Sequence, residues 1–176
     1  MASDRLVVVE NDRELSFSFE DMLRYHGGGS PGGVAHAFKV LQRALPVLET
    51  AGRVQRRAIV IETAFGGPGA RDGFELVTRA VTDERFTVDP SLARPELGRA
   101  RERFVFRLRY RDRSATLTLR EGFVSDEFIG LTRRENRSAD EEHQLTAMKA
   151  DMAARVMSAT PSAAYEAEAG AGPRAA

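Results

Sequence analysis

The spacing of apolar residues predicts two helices in the first third of the chain. Residues 16–27 fit a helix that Ser16 or Ser18 caps and Gly27 ends. Residues 30–52 fit a second helix, because apolar side chains recur there every three or four positions along one face. That face carries Val34, Phe38, Leu41 and Leu45. An apolar run before both helices, LVVVE, fits a short strand or an apolar N-terminal arm.

Other segments have the patterns of strands. Residues 56–65 are rich in β-branched residues and, after two arginines, nearly continuous in apolar side chains, which is typical of a central strand covered on both faces. Residues 103–110 and 113–120 alternate apolar and polar side chains, so they predict an antiparallel hairpin with one wet face. Residues 123–131 fit one more strand. Residues 82–100 show little periodicity and predict a long connection.

The C-terminal part predicts a helix and then a tail. A capping box at residues 138–141 opens the helix, whose apolar stripe is Leu145, Met148, Met152 and Val156. Because this stripe follows the recognisable domain, we expect it to form the contact of a homodimer. Residues 161–176 are low in complexity and predict a disordered tail. We expect one α+β domain over residues 1–160, with a mixed or antiparallel sheet packed against helices.

Composition narrows the classes of function. Lys plus Arg and Asp plus Glu number 26 each, so no net charge favours nucleic acid or an anionic membrane as partner. Cysteine is absent, which excludes disulfides, thiolate nucleophiles and Cys-ligated metals. Because the sequence has neither a signal-peptide pattern nor about 18 consecutive apolar residues, we expect a cytoplasmic protein.

Two glycine-rich segments, 27–33 and 66–73, lie just before predicted helices, the second of which begins near Asp72. Free backbone N–H groups and the positive end of the helix dipole favour an anion or a polar oxygen at such places. Glycine also allows a ligand to approach the backbone closely. The two segments could therefore form one pocket, although residues 27–33 could equally be a simple connector between helices.

The first glycine segment carries a family resemblance. Tyr25, His26, Gly27, Pro31 and Gly32 precede a helix in the stretch YHGGGSPGG. This stretch resembles the opening motif of the formylmethanofuran dehydrogenase E family, which reads aromatic, His, Gly, His, any residue, Cys, Pro, Gly.

The resemblance extends over roughly residues 16–120 and includes a strand that ends in an acidic residue, here Glu62, and an Asp that begins a helix, here Asp72. Members of the family are associated with zinc or similar metals through Cys and His. In this chain Gly28 and Ser30 stand at the second His and the Cys. Because glycine is no metal ligand and serine is a poor one, we expect neither a metal nor another cofactor.

Three residues are candidates for catalysis. His26 could act as a general acid or base, because a histidine side chain exchanges protons near neutral pH. Asp72 or Glu62 could orient it or act as a second carboxylate. The structural alternatives are a histidine that binds free carbonyls at a helix end and an aspartate that caps a helix.

The remaining candidates would bind substrate. Arg71 could anchor an acidic substrate, and the other predicted binding residues are Tyr25, Gly28, Gly29, Ser30 and His36. Arg71 could also be simply solvated, and a buried structural role for His36 is as plausible as a binding role.

Together these residues favour an enzyme of small-molecule metabolism that uses no metal. Proton transfer, as in isomerisation, dehydration or cyclisation of an acidic metabolite, suits a histidine, carboxylates and an arginine. Two alternatives remain open. One is a metal site built from His26, His36 and a carboxylate, and the other is a non-catalytic module for ligand binding or dimerisation.

Overall fold

The computed structural model describes residues 4–172, which form an α+β fold with a two-stranded hairpin and a five-stranded sheet. The helices are α1 (Phe19–His26), α2 (Pro31–Leu48), α3 (Pro68–Thr78), α4 (Asp126–Arg133), α5 (Ala139–Ser158) and α6 (Pro161–Ala164). The strands are β1 (Arg5–Glu10), β2 (Arg13–Ser18), β3 (Val60–Thr63), β4 (Phe86–Val88), β5 (Val105–Tyr110), β6 (Arg113–Leu119) and β7 (Tyr165–Ala171). The α+β prediction is thus confirmed.

The N-terminal hairpin pairs β1 with β2, and a tight turn at Asn11 and Asp12 connects them. Both turn residues have positive φ angles, of 50° and 61°, as a two-residue hairpin turn requires. The first predicted helix therefore begins later than residue 16. Ser18 is its N-cap, Asp21 completes a capping box, and Gly27 ends it at φ 84°.

The five-stranded sheet has the order β4-β3-β5-β6-β7, with β4 parallel to β3 and all other neighbours antiparallel. The predicted β5–β6 hairpin is confirmed. In β3 the side chains of Ile61 and Thr63 are fully buried, whereas Glu62 between them is only half-buried. Helices cover one face of this strand, so the prediction of two covered faces was wrong.

Two further segments differ from their sequence predictions. Residues 123–131 do not form a strand, because Ser125 caps α4 there. Residues 82–100 contain the short strand β4 and two 3₁₀ turns, Pro90–Leu92 and Pro95–Leu97. Within residues 4–172, no helix combines the length and the apolar composition needed to cross a bilayer.

The apolar stripe of α5 packs within the chain. Leu145, Met152 and Val156 are buried, and a Cβ built at Gly32 of α2 would lie 3.0 Å from the Met152 sulfur. The stripe therefore has an intramolecular partner in α2. This packing removes the reason for assigning the stripe to a dimer contact, and the homodimer stays a prediction.

The segment from residue 161 forms a helix and a strand up to residue 171, contrary to the prediction of a disordered tail, and residues 173–176 of that predicted tail lie outside the described residues. Pro161–Ala164 form α6, and β7 pairs with β6 along its whole length, from Leu119↔Tyr165 to Arg113↔Ala171. Tyr165 is fully buried. The small residues of β7 do not form an apolar pattern typical of a strand, because an edge strand needs few apolar side chains. The strand could therefore not be recognised in the sequence.

Glycines let α2 and α3 pack backbone against backbone. A Cβ at Gly69 would overlap the carbonyl oxygen of Ser30, and one at Gly33 would lie 2.9 Å from the Ala70 nitrogen. A Cβ at Gly73 would lie 2.9 Å from that of Ala37. These glycines lie inside the helices, since α2 begins at Pro31 and α3 begins at Pro68.

Gly69→Ala should destabilise the protein, because its methyl group would push α3 away from the backbone of α2. We expect a loss of about 2 kcal/mol in the free energy of unfolding. Gly52→Ala is the matched control, since no atom lies within 4 Å of its Cβ position. Urea denaturation measures both, and equal stability of the two variants would contradict the packing role of Gly69.

Deletion of residues 161–176 should lower the melting temperature by roughly 10 °C or more, because it removes Tyr165 from the core and a whole strand from the sheet. Glu166→Ala, an exposed change on the same strand, should leave it nearly unchanged. Thermal melts followed by circular dichroism provide the comparison. An unchanged melting temperature after the deletion would show that β7 contributes nothing to stability.

Candidate functional site

His26 and Asp72 meet where α1 ends beside α3. The Nδ1 atom of His26 lies 2.8 Å from Oδ2 of Asp72. α1 is placed there because its Met22 side chain packs at Gly73 of α3, and Gly27 ends it with a hydrogen bond to the Leu23 carbonyl. Asp72 is not the N-cap of its helix, which begins four residues earlier at Pro68.

The two ring nitrogens of His26 differ in their environment. Its side chain is only 8% exposed. An ionised carboxylate can only accept a hydrogen bond, so Nδ1–H donates to Asp72. Nε2 is buried and has no hydrogen-bond partner within residues 4–172. In the neutral ring Nε2 therefore carries a free lone pair, which is the arrangement of a base that a carboxylate orients.

Glycine lies next to this free nitrogen. A Cβ built at Gly29 would be 4.0 Å from Nε2, and Gly28 beside it has φ 90°. The residues of this loop, Gly27, Gly28 and Gly29, are themselves exposed. We call this segment the His26 loop. On this side Nε2 faces a glycine, which carries no side chain.

Positive charges lie beside the pair. The Nη1 atom of Arg71 is 3.8 Å from Oδ1 of Asp72, and its side chain is 54% exposed. Lys149 on α5 donates a hydrogen bond to the carbonyl oxygen of Gly29 at 3.3 Å. Nothing in the sequence indicated that Lys149 contacts this loop, because 120 residues separate it from Gly29. Tyr25 is exposed, and Ser30 is the N-cap of α2, although its side chain makes no capping bond.

Glu62 belongs to another part of the molecule. Both of its oxygens accept hydrogen bonds from Arg107, at 2.9 and 3.1 Å, and Arg109 lies 3.2 Å away. The hydrogen bond from Arg107 holds the pKa of Glu62 below its ordinary value, although partial burial opposes the shift. Because Glu62 points away from the helical layer that carries His26, the expectation that it could orient His26 or act as a second carboxylate is not supported.

His36 is a core residue and is closed to substrate. Its Nδ1 accepts a hydrogen bond from the Tyr165 hydroxyl at 2.7 Å, and its Nε2 contacts the Met152 sulfur at 3.3 Å. The Phe104 ring lies over it at 4.7 Å between centroids. Burial lowers the pKa of His36 to about 3, so the ring is neutral at ordinary pH. The predicted binding role of His36 is therefore not supported.

Two surface cavities lie away from this pair. They have volumes of about 810 and 280 Å³ and are lined by residues other than the two glycine segments. Within residues 4–172, no three His, Asp or Glu side chains are grouped so that they could hold a metal ion. His26 and Asp72 thus form a pair without a third ligand.

No protein-family model matches the chain, and no curated protein matches it either.

Stability should fall with acid through His36. Its folded pKa of about 3 lies below the ordinary value of 6.5, so the unfolded chain takes up the proton first. The stabilising contribution is complete above pH 6.5 and is lost as the pH falls toward 3. Between about pH 6.5 and 5 we expect a loss of up to about 2 kcal/mol in the free energy of unfolding.

The double variant His36→Leu/Tyr165→Phe should lose much less stability over this range. It removes both hydrogen-bond partners together, so neither polar group is left buried alone. His26 and His143 are present in both proteins and cancel in the comparison. Urea denaturation at the two ends of this pH range measures the effect, and equal pH slopes would contradict it.

Proposed function

We propose that this protein is an enzyme that moves protons on a small acidic metabolite, with His26 as general acid and base and Asp72 as its orienting carboxylate. The observation that carries the proposal is the free, buried Nε2 of a histidine whose Nδ1 is held by Asp72 at 2.8 Å. The reaction type is isomerisation, dehydration or cyclisation, since proton transfer is the chemistry that these groups supply.

A purely structural role accounts less well for the free nitrogen. A buried polar atom without a partner costs about 1–3 kcal/mol, and a surface-exposed or doubly bonded histidine would avoid that penalty. In the proposed enzyme, a substrate hydroxyl or C–H group occupies this position. The exposed loop of Gly27, Gly28 and Gly29 opens to admit it.

The substrate class follows from the neighbouring charges. Arg71 lies beside Asp72 and Lys149 contacts the loop at Gly29, so a carboxylate on the substrate finds a cation in reach. The resemblance to the formylmethanofuran dehydrogenase E family, with Gly28 and Ser30 at its metal positions, supports the same location for the site. A cytoplasmic location is also part of this proposal.

The metal alternative has less support. His36 would have to leave Tyr165 and Met152 to join His26, and Glu62 would have to leave two arginines. Each of these contacts is buried or ion-paired, so the proposed ligands are already engaged.

Hydrogen–deuterium exchange on substrates tests the proposed activity. The protein is incubated in D₂O with a panel of 2-oxo and 3-hydroxy acids, and proton NMR follows the loss of their C–H signals. We expect at least one acid to exchange roughly 100-fold faster with wild type than with His26→Gln. His143→Gln is the matched control, because His143 is an exposed histidine. Equal rates for wild type and His26→Gln would contradict the proposal.

Chemical access to Nε2 is tested without a substrate. Diethyl pyrocarbonate acylates unprotonated histidine nitrogens, and peptide mass spectrometry reports each site. The exposed His143 should react and the buried His36 should not, so they calibrate the scale. His26 should react measurably and should be slowed by Gly29→Val, whose side chain would cover Nε2. A His26 as unreactive as His36 would show that no substrate reaches it.

A further inference from the structure

A second site lies at the other end of α2. A cleft of about 810 Å³ opens between β1, the last turns of α2, the connection after it and residues 160–162. We call it the Arg43 cleft. From Ser30 to Arg43 the helix axis runs roughly 20 Å at about 1.5 Å per residue. None of the lining residues belongs to the His26 loop or to the start of α3.

Arg43 is a cation without a counterion in this cleft. Within residues 4–172 it makes neither an ion pair nor a hydrogen bond, although its Nε atom is buried. A buried donor without a partner is unfavourable for the free protein. A guanidinium group pairs best with a planar or tetrahedral oxyanion, through two parallel hydrogen bonds. A carboxylate or a phosphate is the kind of partner that the Arg43 guanidinium group can accept.

The other charged groups of the cleft do not supply this partner. Three arginines and one glutamate line it, which leaves a formal charge of +2 in a chain whose net charge is zero. Glu49 accepts a hydrogen bond from the Ala51 N–H at 3.0 Å, and its other oxygen lies 3.5 Å from Arg111. Arg53 is 55% exposed and touches Glu14 only at 3.4 Å, so it can turn toward a bound anion.

The walls of the cleft add an apolar surface. Leu45 and Pro46 of α2 and Val54 line it beside the arginines. Its volume lies in the range of pockets that hold metabolites rather than single ions. An organic molecule with a charged end and an apolar body fits this combination.

We propose that the Arg43 cleft binds a small organic anion, whose carboxylate or phosphate pairs with Arg43 and Arg53 and whose apolar part lies against Leu45 and Pro46. This site is separate from the proposed catalytic pair. It gives the protein a place for a second ligand.

Calorimetric titration with three aromatic probes tests the site. Phenyl phosphate and benzoate carry the two anionic groups, and benzylammonium carries the opposite charge on the same ring. We expect at least one anion to bind and benzylammonium not to bind, and the tighter anion identifies the preferred head group. Failure of both anions to bind at millimolar concentration would overturn the proposal.

Variants locate the binding. Arg43→Met should weaken binding of the better anion at least tenfold, and Arg43→Lys should fall between it and wild type. Arg103→Met is the matched control, because Arg103 is exposed and lies outside the cleft lining. Binding that is equal in wild type, Arg43→Met and Arg43→Lys would overturn the proposal.

Two more measurements separate this site from the rest of the protein. Without ligand, Arg43→Met should melt no lower than wild type, because it removes a donor that has no partner. Anion binding should be unchanged in His26→Gln, so the cleft can be confirmed or refuted whatever the fate of the catalytic proposal. Loss of anion binding in His26→Gln would place the anion at the His26 loop and overturn the cleft.

Discussion

The contact between α2 and α3 depends on positions that carry no side chain. Gly33 meets the backbone of α3, Gly69 meets the backbone at Ser30, and Gly73 faces Ala37. Two helices can approach this closely only where neither presents a Cβ that the other must avoid. The same glycine at position 73 receives the Met22 side chain of α1, so one contact fixes three helices. His26 and Asp72 meet because these helices are held in this arrangement.

The glycines of the two glycine-rich segments, 27–33 and 66–73, therefore have different structural roles, and the sequence alone does not distinguish these roles. Those inside α2 and α3 serve packing, and only Gly27 and Gly28 adopt positive φ angles in the loop. Gly29 has neither role, since its Cβ position meets only Nε2 of His26, at 4.0 Å. A glycine that packing does not require, placed beside an unpaired nitrogen, agrees with the substrate position that we propose there.

Helices and strands with a clear period of apolar residues could be predicted from the sequence. Strands that are defined by pairing with distant parts of the chain could not. The β5–β6 hairpin, the capping box of α5 and the start of α2 at Pro31 each have a local signal. β2, β4 and β7 have weak local patterns, because hydrogen bonds to distant strands define them. At the candidate site, the family resemblance helped to select His26 and Asp72 as candidate residues. The exclusion of Glu62 followed only from the register of β3 against β5, which pairs it with Arg107.

The buried middle of α2 lies between the His26 loop at one end of the helix and the Arg43 cleft at the other. His36, Phe38 and Leu41 are buried there, and His36 is tied to Tyr165 of the edge strand β7. A ligand at either end could influence the other only by moving this helix, which would break the hydrogen bond and open close-packed contacts at once. The His26 loop and the Arg43 cleft therefore lie at opposite ends of one close-packed helix, and we expect the two proposed sites to bind their ligands independently.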